Sequence, residues 1–545
     1  MEKFEIRERQ TRLIWPTGEA ERLRDSADVK TRLSFFTLSF VSQAIPVILS
    51  ETTKQFRANQ RPLTKGELFK YFGILYLKTF YSGWRIRELW SDCGEFSARK
   101  SPDVLELSGI SRERFEEVDR AIRYGKFTRF DEEHDPWISV RVLVDAFNER
   151  RVSTIVPGSD LCIDECMCGW RGKNGKWRLE SMPHITKIIR KPVGIGLEFK
   201  STADVETGAL LMLDIAEEKK DQARKEFADV HKSHVAQTLR LVKPWFHTSR
   251  CVHGDSGFAS FENASELVAR RGLHFSGVIK TAHSLYPRKA LLSAVKNKPK
   301  GTMVWASTTV EDHKILAVAH VDKTYKTFIS TYGSSARGVD HVRSYYTLVD
   351  GKEVESTVSI KQAKIMNRYF DGAKAIDVHD HYRQGGLAME RARHTQNWRR
   401  RVQDTILGMI ETDAFLLWKK FSPDWEAKED HAFFTDKLVY ELLTNTMDEE
   451  TPRKTRARTA TQLEAEEEDL HVTKALRLVP EFNVKRRKSN DDSKTSGGRP
   501  RLVCHQSNCK QRVSYLCVGC SKPRQQIFIT YCGAHIVNHN VPQPN

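Results

Sequence analysis

Short apolar segments bounded by turn residues follow one another between residues 156 and 285, and they constrain the fold most. The segments DLCIDECMCGW, VGIGLEFKSTAD, GALLMLDIA and TSRCVHGDSGF have the composition of β-strands. Between and after them, SHVAQTLRLVKPWF has apolar residues at helical spacing, and NASELVARRGL opens on an asparagine that suits a helix N-cap. Strands that alternate with helices predict an α/β core over residues 156–285.

Segments of different composition lie on both sides of this core. Apolar residues at helical spacing predict a helical region over residues 33–155, and helices again over residues 359–395 and 396–425. The segments TMVWASTTV, ILAVAHVDK, YKTFISTYG and VRSYYTLVDGKEVESTVSI have the pattern of consecutive strands, with VDGK as a hairpin turn. We therefore predict a β-rich block over residues 286–358, inserted into the α/β unit.

Both ends of the chain differ from the rest. Residues 1–32 are polar and charged, which predicts a flexible N-terminal tail. Residues 426–503 contain RKTRAR, EAEEED, KRRK and DDSKTSGGRP, and such charge blocks with Ser, Gly and Pro predict a flexible linker. Residues 504–545 contain half of the ten cysteines.

The chain is strongly basic, because 88 Lys and Arg exceed 71 Asp and Glu and give a net charge of +17. This balance favours a polyanion as partner, although charge alone does not separate nucleic acid from membrane surfaces or heparin. No apolar run is long enough for a transmembrane helix and the first residues lack a signal-peptide core, so we expect reduced cysteines and no membrane partner. The basic run 485–488, KRRK, fits nuclear import or a DNA contact, and we expect a nuclear protein.

Three aspartates lie where metal chemistry would require them. Asp164 ends a short apolar run and so lies on or just after a strand, Asp255 ends another such run, and Asp377 lies in a helical stretch one turn before Asp380. Exchange of a phosphodiester needs an activated oxygen nucleophile and a stabilised leaving oxygen, and two Mg²⁺ ions held by carboxylates supply both. Spacing alone does not select these residues, since an aspartate at a strand end is usually a turn former or a helix cap.

The sequences around these aspartates resemble the motifs of piggyBac-type DNA transposases. The matching segments are Ile163-Asp164-Glu165 with Gly169-Trp170-Arg171-Gly172-Lys173, Asp255 with Phe258 and Ser260, Ala375-Ile376-Asp377 with His379-Asp380-His381, and Asn397-Trp398-Arg399-Arg400. The resemblance covers residues 33–425 and the cysteine-rich end. Ser256 stands where the family has Asn and Ala375 where it has Gly, and neither change removes a carboxylate.

The resemblance implies an α/β fold with an RNase H-like catalytic core, formed by residues 156–285 and 359–395 and interrupted by the β-rich insertion. It also implies that the helical segments 33–155 and 396–425 bind DNA and form a homodimer. The implied enzyme is a cut-and-paste transposase that binds terminal inverted repeats, excises its element through hairpin ends and integrates at TTAA-like targets. Its Mg²⁺ (or Mn²⁺) ions would be held by Asp164, Asp255 and Asp377, with Asp380 in a supporting catalytic role.

A non-catalytic descendant of such a transposase is the alternative, serving as a domesticated DNA-binding or chromatin protein. Three intact aspartates favour the enzyme, whereas Ser256 and Ala375 leave the descendant open.

The last 42 residues carry closely spaced soft ligands. They are Cys504, Cys509, Cys517, Cys520, Cys532, His535 and His539. Zn²⁺ takes four nitrogen or sulfur ligands, and a segment this small needs a cross-link such as a bound metal ion to fold. We therefore predict a zinc-binding domain over residues 504–545. If His505 is counted, the ligands suffice for two ions, and one zinc or two are both compatible with the spacing.

Basic residues beside these motifs are candidates for DNA contacts. The family has a similar cysteine-rich domain that recognises the transposon end, which implies phosphate contacts from basic residues flanking the ligands. A solvated basic surface on a protein-interaction finger is the alternative. The predicted DNA-binding residues are Arg171, Lys173, Trp398, Arg399, Arg400, Arg499, Arg501, Lys510 and Arg512.

Overall fold

The computed structural model contains two compact units, Met1–Asp448 and Glu449–Asn545. In the first unit it describes residues 9–15, 31–91, 101–170, 182–280, 285–333, 335–349 and 352–448. In the second unit it describes three short strands, which pair as one antiparallel sheet in the order β14-β15-β16. Their bounds are β14 (Thr473–Ala475), β15 (Val513–Cys517) and β16 (Thr530–Cys532).

Helices precede, interrupt and follow the strands of the first unit. Their bounds are α1 (Arg32–Ser39), α2 (Ile45–Thr53), α3 (Lys65–Phe80), α4 (Val104–Ser108), α5 (Arg112–Ala121), α6 (Arg129–His134), α7 (Ile138–Thr154), α8 (Lys219–Gln222), α9 (Ser233–Val242), α10 (Phe261–Arg270), α11 (Arg288–Val295), α12 (Lys364–Gly372), α13 (Ala375–Arg383), α14 (Met389–Ala392), α15 (Trp398–Phe421) and α16 (His431–Leu443).

The strands of the first unit form one large mixed sheet and two small antiparallel pairs. Their bounds are β1 (Arg12–Leu13), β2 (Ile155–Val156), β3 (Asp160–Gly169), β4 (Thr186–Lys187), β5 (Ile195–Asp204), β6 (Leu210–Ile215), β7 (Cys251–Gly254), β8 (His274–Val278), β9 (Met303–Val310), β10 (His313–Val321), β11 (Tyr325–Ser330), β12 (His341–Val349) and β13 (Lys352–Ile360). The small pairs are β1 with β2 and β12 with β13.

The large sheet runs in the order β4-β5-β3-β7-β8-β11-β10-β9, and β6 also pairs with β5. The meander of β3, β5 and β6 is antiparallel, whereas β7 and β8 run parallel to β3. Parallel neighbours need a crossover connection, which α10 supplies between β7 and β8. All of β3 is buried except its two end residues, as expected for a central strand covered on both faces.

The strands of the predicted β-rich block divide into two groups. Strands β9, β10 and β11 continue the large sheet beyond β8, with all pairings antiparallel. Strands β12 and β13 instead form a separate hairpin, whose exposed apolar side chains include Tyr346 and Leu348. The block therefore adds three strands to the core sheet as well as the hairpin.

Helix α15 is the central helix beside the sheet. Every residue from Asp404 to Trp418 is buried, and the helix packs against α1, α7, α13 and α16 as well as against β3. Its first residue, Trp398, meets Trp137 edge to face, with ring centroids 5.1 Å apart. A helix buried on all sides fixes the position of everything packed on it, including α13, which carries Asp377.

The predicted linker over residues 426–503 is wrong at its beginning. Helix α16 lies within that range, is N-capped by the Asp430 side chain, and packs against α1 and α3. Phe434, Leu438 and Leu442 recur every four residues and are fully buried, so a helical apolar stripe is present among the charged residues. The three-residue strand β14 also lies inside the range predicted to be flexible.

The predicted flexible tail over residues 1–32 is wrong for residues 9–15. Strand β1 pairs with β2, and the buried hydroxyl of Thr11 donates a 2.8 Å hydrogen bond to Asp204 Oδ2. Backbone pairing and a buried polar contact anchor this short segment on the core, although its composition is polar.

Among the residues that the structure describes, no single helix is long and apolar enough to cross a membrane. One bent pair, Arg32–Ser39 with Ser42–Thr53 at 74°, passes that test by length and composition only.

Candidate active site

Two of the predicted aspartates meet where β3 and β7 lie side by side. Ile163 on β3 pairs with Gly254, the last residue of β7. Asp164 therefore lies beside Asp255, which follows β7 directly. The parallel register of two buried strands sets this proximity.

Glu165 joins these two aspartates. One carboxylate oxygen from each of Asp164, Glu165 and Asp255 lies within 4.8 Å of the others. The Glu165 amide donates to Asp164 Oδ1 at 2.8 Å, and the Gly257 amide donates to Asp255 Oδ1 at 2.7 Å. A Cβ on Gly257 would lie 3.1 Å from Asp255 Oδ1, so glycine leaves room for these carboxylates. We call Asp164, Glu165 and Asp255 the acidic centre.

Two cations from the turn between β4 and β5 lie against the acidic centre. Arg190 contacts Glu165 Oε2 at 3.0 Å and Asp255 Oδ2 at 3.5 Å. The Lys191 ammonium donates to the Glu165 carbonyl oxygen at 3.1 Å and lies 3.8 Å from Asp164 Oδ2. These side chains supply positive charge where the carboxylates converge.

Asp377 shares one of these cations but stands apart from the acidic centre. It lies in the first turn of α13, as predicted for a helix-borne aspartate, and its side chain is 65% exposed. Its Oδ1 lies 3.2 Å from the Lys191 ammonium, which also contacts Asp164. The structure thus brings Asp377 to the same lysine as Asp164, and Lys191 lies between the two carboxylates.

Asp380 is engaged elsewhere. Its Oδ1 accepts hydrogen bonds from Arg383 Nη2 at 2.9 Å and from the Cys166 thiol at 3.0 Å, in a buried environment. Burial favours a raised pKa for the Asp380 carboxyl, but the Arg383 charge and the thiol hydrogen bond bring it below its usual range. Asp380 therefore joins α13 to β3, and its contacts indicate a supporting position.

Burial and a shared hydrogen bond shift the pKa values of two carboxyls of the acidic centre in opposite directions. Burial raises the pKa of the Asp164 carboxyl well above its usual range, and its hydrogen bond with Glu165 raises it further. Burial also works to raise the pKa of Glu165, but the hydrogen bond with Asp164 and the charge of Lys200 lower it below its usual range. Such a pair retains a proton unless more positive charge arrives. Carboxylate oxygens that converge in this way are the donors that fit a hard divalent cation.

A second polar layer lies below the acidic centre on the same strands. Asp160 accepts from His253 Nε2 at 2.7 Å and from Arg368 through both carboxylate oxygens, each at 2.7 Å. A Cβ on Gly372 would lie 2.5 Å from a carbon of the His253 ring, so glycine allows α12 to approach β7 closely. This bonded layer fixes the strands that carry Asp164 and Asp255.

Trp398, one of the predicted DNA contacts, is a buried residue in this structure. Only 2% of its surface is exposed, because the ring packs against Trp137 in the core. Arg400 forms an ion pair with Asp119, and the Arg399 guanidinium lies over the Trp398 ring at 4.9 Å. In this structure, the aromatic residue beside the arginines at the start of α15 therefore packs in the core.

Most of the other predicted DNA contacts and zinc ligands lie outside the described residues. Cys517 ends β15 and Cys532 ends β16, in neighbouring strands of the small sheet. The positions outside the described residues are Arg171, Lys173, Arg499, Arg501, Lys510, Arg512, Cys504, Cys509, Cys520, His535 and His539.

The acidic centre contains one carboxylate, Glu165, for which the sequence motifs predict no role. Glu165 follows Asp164 directly, so its place in the matching motif was the available signal. Arg190 and Lys191 carry no such signal, because they reach the acidic centre only through the turn between β4 and β5.

Fold and site together define an α/β protein with an acidic centre, contacted by Arg190 and Lys191, on a basic chain. The family model described as Transposase IS4 matches residues 32–415, a range that contains Asp164, Asp255 and Asp377. The chain therefore belongs to this transposase family.

A solved structure supports the same assignment at the level of the fold. It is described as a cryo-EM structure of the piggyBac transposase synaptic complex with hairpin DNA. The TM-score is 0.59 at 18% sequence identity, and the match covers 94% of this chain and 97% of that chain. The resemblance to piggyBac-type transposases predicted from the motifs is thus confirmed. Comparison with curated proteins gave no significant match.

Proposed function

We propose that this chain is a cut-and-paste DNA transposase whose phosphodiester chemistry takes place at the acidic centre. The observation that carries the proposal is the convergence of Asp164 and Glu165, within β3, with Asp255, directly after β7, in a chain of a transposase family. The strand order supports an RNase H-like core, because an antiparallel meander of three strands is followed by two strands parallel to the first.

Asp164 and Asp255, with Glu165 beside them, are the residues that would hold Mg²⁺ (or Mn²⁺). Asp377 would complete the set from α13, because the same Lys191 ammonium contacts both Asp377 and Asp164. Two divalent cations would stabilise both the attacking and the leaving oxygen of the phosphodiester. Gly257 and the layer around Asp160 keep the carboxylates in place, which lowers the cost of organising the site when DNA arrives.

The substrate in this proposal is double-stranded DNA carrying the terminal inverted repeats of the element. Excision through hairpin ends and integration at TTAA-like targets are proposed from the resemblance, as are the homodimer and the nuclear location. The similar structure is itself described as a synaptic complex with hairpin DNA. The cysteine-rich end is proposed to bind Zn²⁺ and the repeat.

Excision from a plasmid tests this function. The plasmid would carry a marker between the inverted repeats that flank the coding sequence in its source genome. We expect marker excision that stops when a chelator removes divalent cations and resumes with Mg²⁺ or Mn²⁺. Specific binding of the repeats without excision under any metal would instead support the non-catalytic descendant.

Lys191→Ala should tighten the binding of Mn²⁺ by the DNA-free protein by about tenfold. The lysine ammonium competes for Asp164 and Asp377, and because Asp377 is largely exposed, solvent screening reduces this competition to about 1.4 kcal/mol, which is a factor of about ten in affinity. Mn²⁺ titration followed by electron paramagnetic resonance measures the affinity. Lys289→Ala, at an exposed position on α11, is the matched control. Unchanged or weaker binding by Lys191→Ala would show that the lysine does not compete with the ion.

A further inference from the structure

A pocket of about 470 Å³ opens beside the acidic centre. Asp255 and Asp377 line it, together with residues of strand β11 and helix α12. Its volume lies in the range of small-molecule sites and is far too small for a DNA duplex. Whatever enters it is the size of a single nucleotide or less.

One wall of the pocket is aromatic. Phe370 lines it and meets Tyr369 and Phe328 edge to face, with ring centroids 5.5 Å and 5.8 Å away. The Lys326 ammonium lies 5.1 Å from the centre of the Phe370 ring. The ring thus contacts two aromatic neighbours and one cation, and it lines the pocket.

Basic side chains line the same pocket as Phe370. Lys280, Arg288, Lys326 and Lys374 all line the pocket. Lys326 is paired with Asp322 at 2.9 Å. Within the part of the chain that the structure describes, neither Lys280 nor Arg288 has an ion-pair partner, and the buried Arg288 Nε has no hydrogen-bond partner. Two cations are therefore available for an anionic ligand.

We propose that this pocket receives one nucleotide displaced from the DNA duplex next to the phosphodiester that reacts. The base would lie on Phe370 and the adjoining phosphates would contact Lys280 and Arg288. Aromatic faces combined with basic side chains are how proteins bind unpaired nucleotides. A strand of DNA is the source because the pocket opens on Asp255 and Asp377, so this inference rests on the proposed function of that centre.

Binding of short duplexes to the full chain tests the pocket without requiring catalysis. One duplex carries a single unpaired 2-aminopurine nucleotide and the other is fully paired, with Ca²⁺ replacing Mg²⁺. We expect the chain to prefer the bulged duplex by about tenfold, the order of one stacked base, and to quench its fluorescence. Phe370→Leu, which keeps apolar volume but removes the aromatic face, should abolish both the preference and the quenching.

The charge variant supplies a test that does not disturb the packed wall. Lys280→Ala combined with Arg288→Ala should reduce binding of the bulged duplex more than that of the paired one. Lys289→Ala with Lys314→Ala, two exposed positions, makes the same charge change outside the pocket and should reduce both equally. A wild-type preference near one, or a preference that survives both pocket variants, would overturn the proposal.

Two further outcomes distinguish a pocket for a nucleotide of a DNA strand from a pocket for a free nucleotide, and the pocket from the proposed catalysis. Displacement of the bulged probe by free thymidine monophosphate, with no preference between duplexes, would overturn the DNA source and indicate a free nucleotide. Plasmid excision reports on the acidic centre independently. A preference for the bulged duplex without excision supports the nucleotide pocket and contradicts the proposed catalysis. Excision without that preference supports the proposed catalysis and contradicts the nucleotide pocket.

Discussion

Replacing Asp164 or Asp255 by Asn should reduce DNA strand cleavage by at least about a thousandfold while leaving binding of the inverted repeats unchanged. Divalent cations contribute several kcal/mol to stabilising the transition state, and an amide in place of a carboxylate removes a charged oxygen ligand. Excision from the plasmid measures the first effect, and gel-shift binding of a repeat duplex measures the second.

The thermal stability of the same variants separates a role in chemistry from a role in folding. Asp164 is buried among carboxylates at a cost, so Asp164→Asn should leave the melting temperature unchanged or raise it. Asp312→Asn is the control, because Asp312 is exposed in the turn between β9 and β10 and asparagine tolerates its φ of 67°. Full excision by Asp164→Asn would remove that residue from the site.

The positions of Asp164 and Asp255 were predictable because each follows a local rule. Both end short apolar runs, which places them on or directly after strands, although β3 continues beyond Asp164 to Gly169 and the two residues meet through the parallel register of β3 with β7. Asp377 was predicted on a helix correctly, but its distance from Asp164 depends on Lys191, which comes from a turn distant in sequence. Sequence patterns specify which residues lie on an element, whereas side-chain charges from other elements decide the final spacing.

The same distinction explains the errors in the fold. The strands of the β-rich block were recognisable from composition, but their pairing with β8 depends on non-local contacts. The sequence does not predict helix α16, because charged residues surround its apolar stripe. That stripe becomes buried only through packing against α1 and α3, which are distant in sequence. Trp398 lies in a motif that predicts DNA contact, whereas its burial depends on contact with Trp137, which is distant in sequence.

A buried ion pair joins α7 to α15. Arg151 and Asp413 are both fully buried, and Arg151 Nη2 lies 2.7 Å from Asp413 Oδ2. The Leu210 amide on β6 donates to Asp413 Oδ1 at 2.8 Å, and Arg151 donates to the carbonyl oxygens of Leu210 and Ser39. His379 of α13 lies 3.2 Å from Asp413. One carboxylate thus joins the helices, the sheet and the helix that carries Asp377.

Asp413→Ala should lower the free energy of unfolding by about 3–5 kcal/mol, because it leaves the Arg151 charge buried without a partner. The midpoint of urea unfolding measures the loss. Glu133→Ala removes a partner of the exposed Arg129 and should cost less than about 0.5 kcal/mol.

The double variant Arg151→Met with Asp413→Leu decides whether the unpaired charge is the cause. It replaces both charges by apolar side chains, so it should be clearly more stable than Asp413→Ala alone. If the double variant is no better, lost packing rather than an unpaired charge destabilises the single variant. Because His379 and Asp377 share α13, Asp413→Ala should also impair cleavage at temperatures where the protein stays folded, and the double variant should not restore that loss if His379 itself needs the carboxylate.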